Sequence, residues 1–317
     1  MIYTVTFNPA LDCVMHLSHL TFGEVNRSTA EETYFGGKGV NVSQMLHNLG
    51  RESICLGFAA GFIGRAMIDS LNERGLTTDF VEVPRGLTRV NMKLRGTRGD
   101  IADDQAETAV NAAGPEVDEA DVAAFFAKLE RVQAGDIVVL AGNLPPKAPK
   151  DLYAQVMDAL APHNARIVVD TTGEALMAAL PRRPFLIKPN DEELTAIMGR
   201  PLPTFDALVE AARELQAKGA RNVLVSRGSK GAFILDETGA VTEVPAHKGE
   251  LVNSVGAGDS SVAGFLHGLL LAEEAGMTGT QAAAAGLKWA NACGAATTFS
   301  LDIATKDRVE RLLAAAE

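Results

Sequence analysis

The chain's best-placed proton acceptor is an aspartate just inside a glycine-rich helix entry, in 253-NSVGAGDSSVAGFLHGLL-270. Apolar residues at 262, 265, 266, 269 and 270 fall on one helical stripe, so Gly256-Ala257-Gly258 sits where a turn enters a helix. Small residues there let backbone N–H groups approach a ligand, and the helix dipole adds positive potential. Such a corner suits a phosphoryl group whose oxygens gain charge during transfer. Asp259 stands at the mouth of the same helix, positioned to accept a proton from an attacking hydroxyl. Alone, the motif reads equally as a capping carboxylate after a tight turn.

A second glycine-rich entry is 36-GGKGVNVSQMLHNLG-50. Apolar residues at 42, 45, 46 and 49 predict a helix that Gly50 stops. Lys38 and Asn41 lie at its N-terminus, a cation beside a paired donor and acceptor, which makes a second anion or hydroxyl site. No GxxxxGK[ST] occurs, so this is not a Walker A loop. A flexible turn with a solvated lysine is the simpler alternative. In 188-KPNDEEL-194, Pro189 ends a strand, and Asn190 and Glu193 are three apart at a helix start. Oxygen ligands of that kind suit Mg²⁺ held largely through water beside nucleotide phosphates, or a simple helix cap. A fourth loop, 226-SRGSKGA-232, could wrap around a nucleotide.

These loops need a scaffold, and the middle of the chain supplies one. Short apolar runs at 137–140, 167–170, 185–188 and 222–226 alternate with helix-rich segments around 117–133, 149–161 and 204–218. Runs so uniformly apolar suit strands buried on both faces, and the alternation implies a parallel sheet wound with helices. Ligands on such sheets bind beyond the carboxyl ends of the strands. The residues there are Gly142-Asn143, Asp170, Lys188-Pro189-Asn190 and Ser226-Arg227-Gly228, polar and glycine-rich. Segments 11–35 and 88–111 break the alternation and read as strands of a small accessory sheet, or as irregular surface loops. No repeat or low-complexity tract is visible.

Bulk properties narrow the classes further. With 47% hydrophobic and 22% charged residues over 317 positions, the chain has ordinary globular composition. A net charge of −11 without a basic run argues against a nucleic-acid partner. An acidic chain binds an anion only where cations and helix N-termini are concentrated locally. The three cysteines, Cys13, Cys55 and Cys293, have no metal-type spacing and read as reduced thiols in a cytoplasmic protein. Apolar tracts are too short to span a bilayer, and the N-terminus lacks the charged region of a signal peptide.

Taken together, the four loops resemble the PfkB subgroup of ribokinase-like carbohydrate kinases, from 5-VTFNPALD-12 to about 291-NACGAA-296. Within it, 8-NPALD-12, 36-GGKGVNV-42, 88-TRVNMKL-94, 142-GNLPP-146 and 188-KPNDEEL-194 are most similar to the 1-phosphofructokinase and tagatose-6-phosphate kinase branch. The resemblance implies a doubly wound α/β core, mainly parallel and flanked by helices, over 1–10, 36–87 and 112–317. A small β lid would cover 11–35 and 88–111, through which many relatives dimerise. It implies an ATP- and Mg²⁺-dependent phosphotransferase acting on a phosphosugar, fructose 1-phosphate in the first instance, then tagatose 6-phosphate or fructose 6-phosphate. By the same resemblance Asp259 is the base, and Gly256, Ala257 and Gly258 form the anion hole. Asp12, Gly37 and Asn41 bind sugar hydroxyls. Lys38 and Arg89, with Arg27 as a third cation, hold the phosphate already on the substrate. Asn190 and Glu193 organise Mg²⁺. Lys188, Asn190, Ser226, Gly228, Gly231, Gly258 and Asn291 serve the nucleotide.

Compact positive charge at Lys38 and Arg89 favours a phosphosugar over a nucleoside. A noncatalytic sugar-phosphate or nucleotide sensor on the same fold is the rival from another class. The absence of GxGxxG after the first strand sets a dinucleotide dehydrogenase aside. The sequence departs from the family pattern at Asn143, Lys147 and Arg227, which stand where Ser, Gly and Leu are usual, and in the long segment 95–113.

Overall fold

The computed structural model describes residues 1–97 and 107–315, so part of the unusual 95–113 segment lies outside the described residues. Its frame is a sheet in which ten strands are described. Ile2–Thr6 lies near the middle, paired in parallel with Ile54–Ala60 on one side and Ile137–Ala141 on the other. Beyond Ile137–Ala141 come Arg166–Asp170, Leu186–Ile187 and Asn222–Ser226, all parallel. Two antiparallel strands, Ala232–Leu235 and Val241–Val244, close that edge.

The uniform apolarity of the inner strands follows from having helices on both faces. In Ile137–Ala141, Val138 and Leu140 point into one core, while Ile137, Val139 and Ala141 point into the other. The first core is centred on Phe7, Phe58, Phe125 and Tyr153, with Phe7 4.8 Å from Phe125 and 5.3 Å from Phe58 between ring centroids. Helices Glu119–Leu129, Leu152–Leu160 and Phe205–Ala217 cover this side. Each is shorter than its helix-rich segment, and side chains set the start of two of them. Asp118 starts the first with a reciprocal capping box to Asp121, and the Thr204 hydroxyl accepts from the Ala207 amide at the start of the third. The run at 185–188 keeps only Leu186–Ile187 in the ladder, because Pro184 and Pro189 flank it without N–H groups.

On the opposite face lie Lys38–Asn48, Ala257–Glu274, Gly279–Thr298 and Lys306–Ala314. Ala257–Glu274 and Gly279–Thr298 pack at very short range. A Cβ on Gly264 would fall 2.5 Å from the Trp289 carbonyl oxygen, and one on Gly286 would fall 2.8 Å from the Phe265 ring. This contact fixes the axis of the helix that carries Asp259.

A second, four-stranded sheet stands beside the core, in the order Ser28–Gly36, Ala10–His19, Arg89–Thr97, Glu107–Asn111. The segments that broke the alternation thus form strands rather than irregular loops. Asp12 pairs with Tyr34 on one side and Asn91 on the other, so these three share a face. All three cysteines are free thiols. No described helix is long and apolar enough to cross a membrane.

Gly264→Ala sets two effects against each other. Alanine gains about 1 kcal/mol of helix propensity, while overpacking against a backbone oxygen costs about 1–3 kcal/mol. The clash is with backbone and cannot be relieved by a rotamer, so it wins. Thermal melts of Gly264→Ala should show a lower Tm, and an unchanged or raised Tm would mean the two helices separate freely.

Candidate functional site

Five polar side chains meet where the inner strands end. Asp170 closes strand Arg166–Asp170 and is only 2% exposed. Its carboxylate accepts from Lys38 Nζ at 3.2 Å and lies 3.6 Å from Lys188 Nζ. Burial pushes the Asp170 carboxyl up, but the Lys188 and Lys38 charges overcome this and leave it below its ordinary range. Lys38 shows the converse. Burial works against its charge, yet Asp170, Asp259 and Glu193 outweigh it, so Lys38 is held more firmly protonated than usual.

Lys38 opens helix Lys38–Asn48, which is pressed against the central strand. The Thr6 hydroxyl accepts from the Val40 amide at 3.0 Å. Gly37, at φ 140°, leaves no room for a side chain: a Cβ there would lie 2.6 Å from Thr6 Cγ2. From the same helix, Asn41 Nδ2 donates to Asp259 Oδ2 at 2.7 Å, across 218 residues of sequence.

Asp259 lies in the first turn of Ala257–Glu274 and is 6% exposed. Gly256, at φ 76°, is the N-cap, and no side chain caps this end. The carboxylate is held by Asn41 instead, so capping is not its role. Burial and then the Asp170 charge push the Asp259 carboxyl up to about 6, against the pull of Lys38, Asn41 and Lys188. Among the described residues the Gly258 and Asp259 amides donate to no backbone carbonyl, as expected in a first helical turn. Lys188 Nζ lies against Gly258, 3.1 Å from where a Cβ would stand. Free amides, helix dipole and an ammonium therefore converge on one point.

That point opens into a cleft of about 950 Å³. Lys38, Lys188, Asn190, Glu193, Gly256, Ala257, Gly258 and Asp259 line it, together with Ser226, Gly228, Gly231 and Asn291. Asn190 and Glu193 form a reciprocal capping box: Asn190 Oδ1 accepts from the Glu193 amide, and Glu193 Oε2 from the Asn190 amide. This leaves the second carboxylate oxygen of Glu193 without a hydrogen bond among the described residues. No group of three or more metal-binding side chains is described. The donor set fits a Mg²⁺ ion held through water next to phosphates and does not fit an all-protein cage. Asn291 Nδ2 donates to the Pro245 carbonyl at 2.8 Å.

The remaining predicted residues lie toward the small sheet. Asp12 and Asn41 line a narrow space between that sheet and the segments around 252–255 and 301–303, whereas Gly37 is packed on Thr6 and Pro9 and its neighbour Gly36 lines the space instead. Arg89 is half-buried and donates to the Asn8 carbonyl at 3.1 Å, while Arg27 is exposed in the turn before Ser28. The three predicted phosphate anchors are thus not gathered: Lys38 is on Asp170, Arg89 on Asn8, and Arg27 faces solvent. Three residues not singled out by motif stand in the site. Asp170 was visible only as a polar residue ending a strand. Asn91 is buried, donates to Asp12 Oδ1 at 2.8 Å and leaves its own Oδ1 without a partner. Lys93, two residues on along the same strand, lines the space beside Asp12. Period-two alternation from Arg89 could have found both.

Comparison with known proteins places this geometry. The family model described as pfkB family carbohydrate kinase matches residues 6–305. The chain is 41% identical to a 1-phosphofructokinase of Bacillus subtilis, over 99% of this chain and 97% of that one. It is 33% identical to a D-tagatose-1-phosphate kinase of Bacillus licheniformis, over 98% and 97%. Among solved structures, phosphofructokinase-2 from Escherichia coli in complex with fructose-6-phosphate superposes with a TM-score of 0.86 at 26% identity, covering 99% of this chain and 98% of that one. A buried carboxylate at a helix N-terminus, flanked by two lysines and a nucleotide-sized cleft, is thus set in a chain that belongs to the pfkB family of carbohydrate kinases.

Proposed function

We propose that the protein transfers the γ-phosphoryl group of MgATP to a hydroxyl of a ketohexose phosphate, fructose 1-phosphate in the first instance. The observation that carries this reading is the convergence of Asp259, Lys38, Lys188 and the free Gly258 amide on one point of the cleft. The nucleotide lies along Ser226, Gly228, Gly231 and Asn291, with its phosphates directed at that point. Asp259 takes the proton of the attacking hydroxyl as the new O–P bond forms and the bond to the departing ADP oxygen breaks. A carboxylate raised to about 6 stays ionised at neutral pH yet is a stronger base than an ordinary aspartate. The Asn41 amide holds it on target. Lys188 and the Gly258 amide meet the charge developing on the moving group, with Lys38 anchored behind them by Asp170. Mg²⁺, when bound through Asn190 and Glu193, supplies further charge neutralisation on the phosphates.

On the sugar side, Asp12, held in place by the buried Asn91 amide, offers an acceptor for hydroxyls. Arg89 and Lys93 supply cations for the phosphate the substrate already carries, and Lys38, committed to Asp170, moves from that role to the transferring group. The small sheet acts as a lid over this space. Its other face carries Leu11, Met15, Val90, Met92 and Leu94, half-exposed and in register, which supports a homodimer through the lid. Both curated relatives are named for ketose 1-phosphates, which favours a substrate phosphorylated at C1. Tagatose 1-phosphate is therefore the second reading.

ATP-dependent ADP release should be measured side by side with fructose 1-phosphate, tagatose 1-phosphate, tagatose 6-phosphate and fructose 6-phosphate. Fastest turnover is expected with fructose 1-phosphate, and nucleotide binding without turnover on any of the four would indicate a sensor. Asp259→Asn should lose ~10²-fold or more in kcat. It should also raise the Tm at neutral pH. With a folded-state value above the ordinary one, the stabilising contribution of Asp259 is full at low pH and lost as pH rises through about 6. Near-normal turnover in folded Asp259→Asn would sink the base assignment. In the wild type, kcat should fall as pH drops through about 6. Asp170→Asn removes the negative charge that raises Asp259, so this acid limb should move lower, while two ammonium groups losing their counter-ion should cost about 3 kcal/mol of stability. An unmoved limb would mean that another group is being titrated.

A further inference from the structure

Arg227 stands between two residues of the nucleotide wall, Ser226 and Gly228, where the family pattern has leucine. Its side chain does not line the cleft. It turns inward and is 8% exposed. The guanidinium carbon lies 4.8 Å from the centroid of the Phe205 ring and 5.9 Å from that of Phe233. Nη2 donates to the Lys230 carbonyl at 2.9 Å and pairs with the Glu243 carboxylate, while Nε is buried without a partner.

These contacts join two parts of the wall. Lys230 closes the short turn Gly228–Lys230, whose backbone is tied back by Arg227 N to Gly231 O at 2.8 Å. Glu243 lies on edge strand Val241–Val244, which runs on into Ala246 and His247 of the same cleft. A leucine here would hold the turn through packing alone. The arginine adds a charge-assisted link from the turn to the edge strand, buried at the guanidinium and half-exposed at Glu243.

We propose that Arg227 is a positioning residue for the nucleotide, fixing the Gly228–Lys230 turn against the Val241–Val244 strand in the nucleotide-binding geometry. The inference rests on the kinase reading above. Without the link, the turn samples arrangements that cannot bind. Apparent affinity then falls in proportion to the competent fraction, while the bound complex reacts as before.

The test is MgADP binding by isothermal titration calorimetry, together with steady-state kinetics on the full chain. Arg227→Met keeps an unbranched side chain between the two rings and removes the charge. Arg227→Lys keeps the charge but cannot reach both acceptors in one plane. Both should weaken MgADP binding and raise KM for MgATP about tenfold, with kcat at saturating nucleotide and KM for the phosphosugar unchanged. Glu243→Gln, on the half-exposed partner, should show a smaller loss in the same direction and serves where the arginine variants fold poorly. MgADP binding by folded Arg227→Met at wild-type affinity overturns the proposal. So does a loss shared equally between MgATP and the phosphosugar, which would reveal only a loosened core. If the wild type itself bound no MgADP, the kinase reading would fall first, and this inference with it.

Discussion

The site rests on one buried carboxylate. Asp170 ends an inner strand with almost no access to water, and a lone charge there would simply be protonated. Two lysines prevent that, one from the helix after Gly37 and one from the end of the neighbouring strand. In return, Asp170 holds both ammonium groups beside the first turn of Ala257–Glu274. Asp259 shares this environment with the opposite outcome. Both carboxylates are deeply buried, but Asp170 has the lysines at hydrogen-bond or near-contact range, while Asp259 has an amide and a negative neighbour. The same low-dielectric corner therefore holds one acid that stays ionised and another poised near neutrality. Poising has a cost, because an ionised Asp259 is less favourable in the folded chain than in water.

The arrangement also explains how a chain with net charge −11 can bind a polyanion. Long-range potential works against it. Short-range geometry must compensate, and it does so with two fixed ammonium groups and unpaired amides within one helical turn. Because Lys188 is buried and Lys38 is tied to Asp170, part of their side-chain entropy is already lost before binding.

The frame was legible in the sequence for physical reasons. Strands buried on both faces cannot hide their apolarity, and helix ends declare themselves through glycines such as Gly50 and Gly256. The motifs placed Asp259, Lys188, Asn190 and Glu193 on the correct element ends for the same reason. Pairings across long separations were less accessible. Nothing in the spacing of Lys38 and Asp170, 132 residues apart, announces an ion pair, and so Lys38 read as free to hold a substrate phosphate. The partnership of Asn41 with Asp259 was equally silent. Asn91 looked like one polar residue in a mixed strand until the register put it beside Asp12. Family resemblance supplied residue identities, but not the division of cations between sugar and nucleotide that is proposed above.

How the small sheet is attached carries that division further. Three of its junctions with the core fall close to candidate site residues: Asn8 and Pro9 before Ala10, Gly37 after Gly36, and Thr88 before Arg89. Thr88 is buried, and its hydroxyl accepts from the Ala60 amide at 2.9 Å, while Asn8 Nδ2 donates to the Ala113 carbonyl at 2.9 Å. Those two junctions are therefore anchored by side chains. The third is Gly37, whose extended backbone at positive φ is pinned by close packing on Thr6 and Pro9, with Lys38 immediately beyond. A rotation of the sheet about these points would shift Asp12 and Asn91 relative to Asp259 and leave Asp170, Lys38 and Lys188 in the core. On the function proposed above, the groups assigned to the sugar would then move as one body, while those assigned to the transferring phosphoryl stay preorganised, which is where preorganisation lowers a barrier.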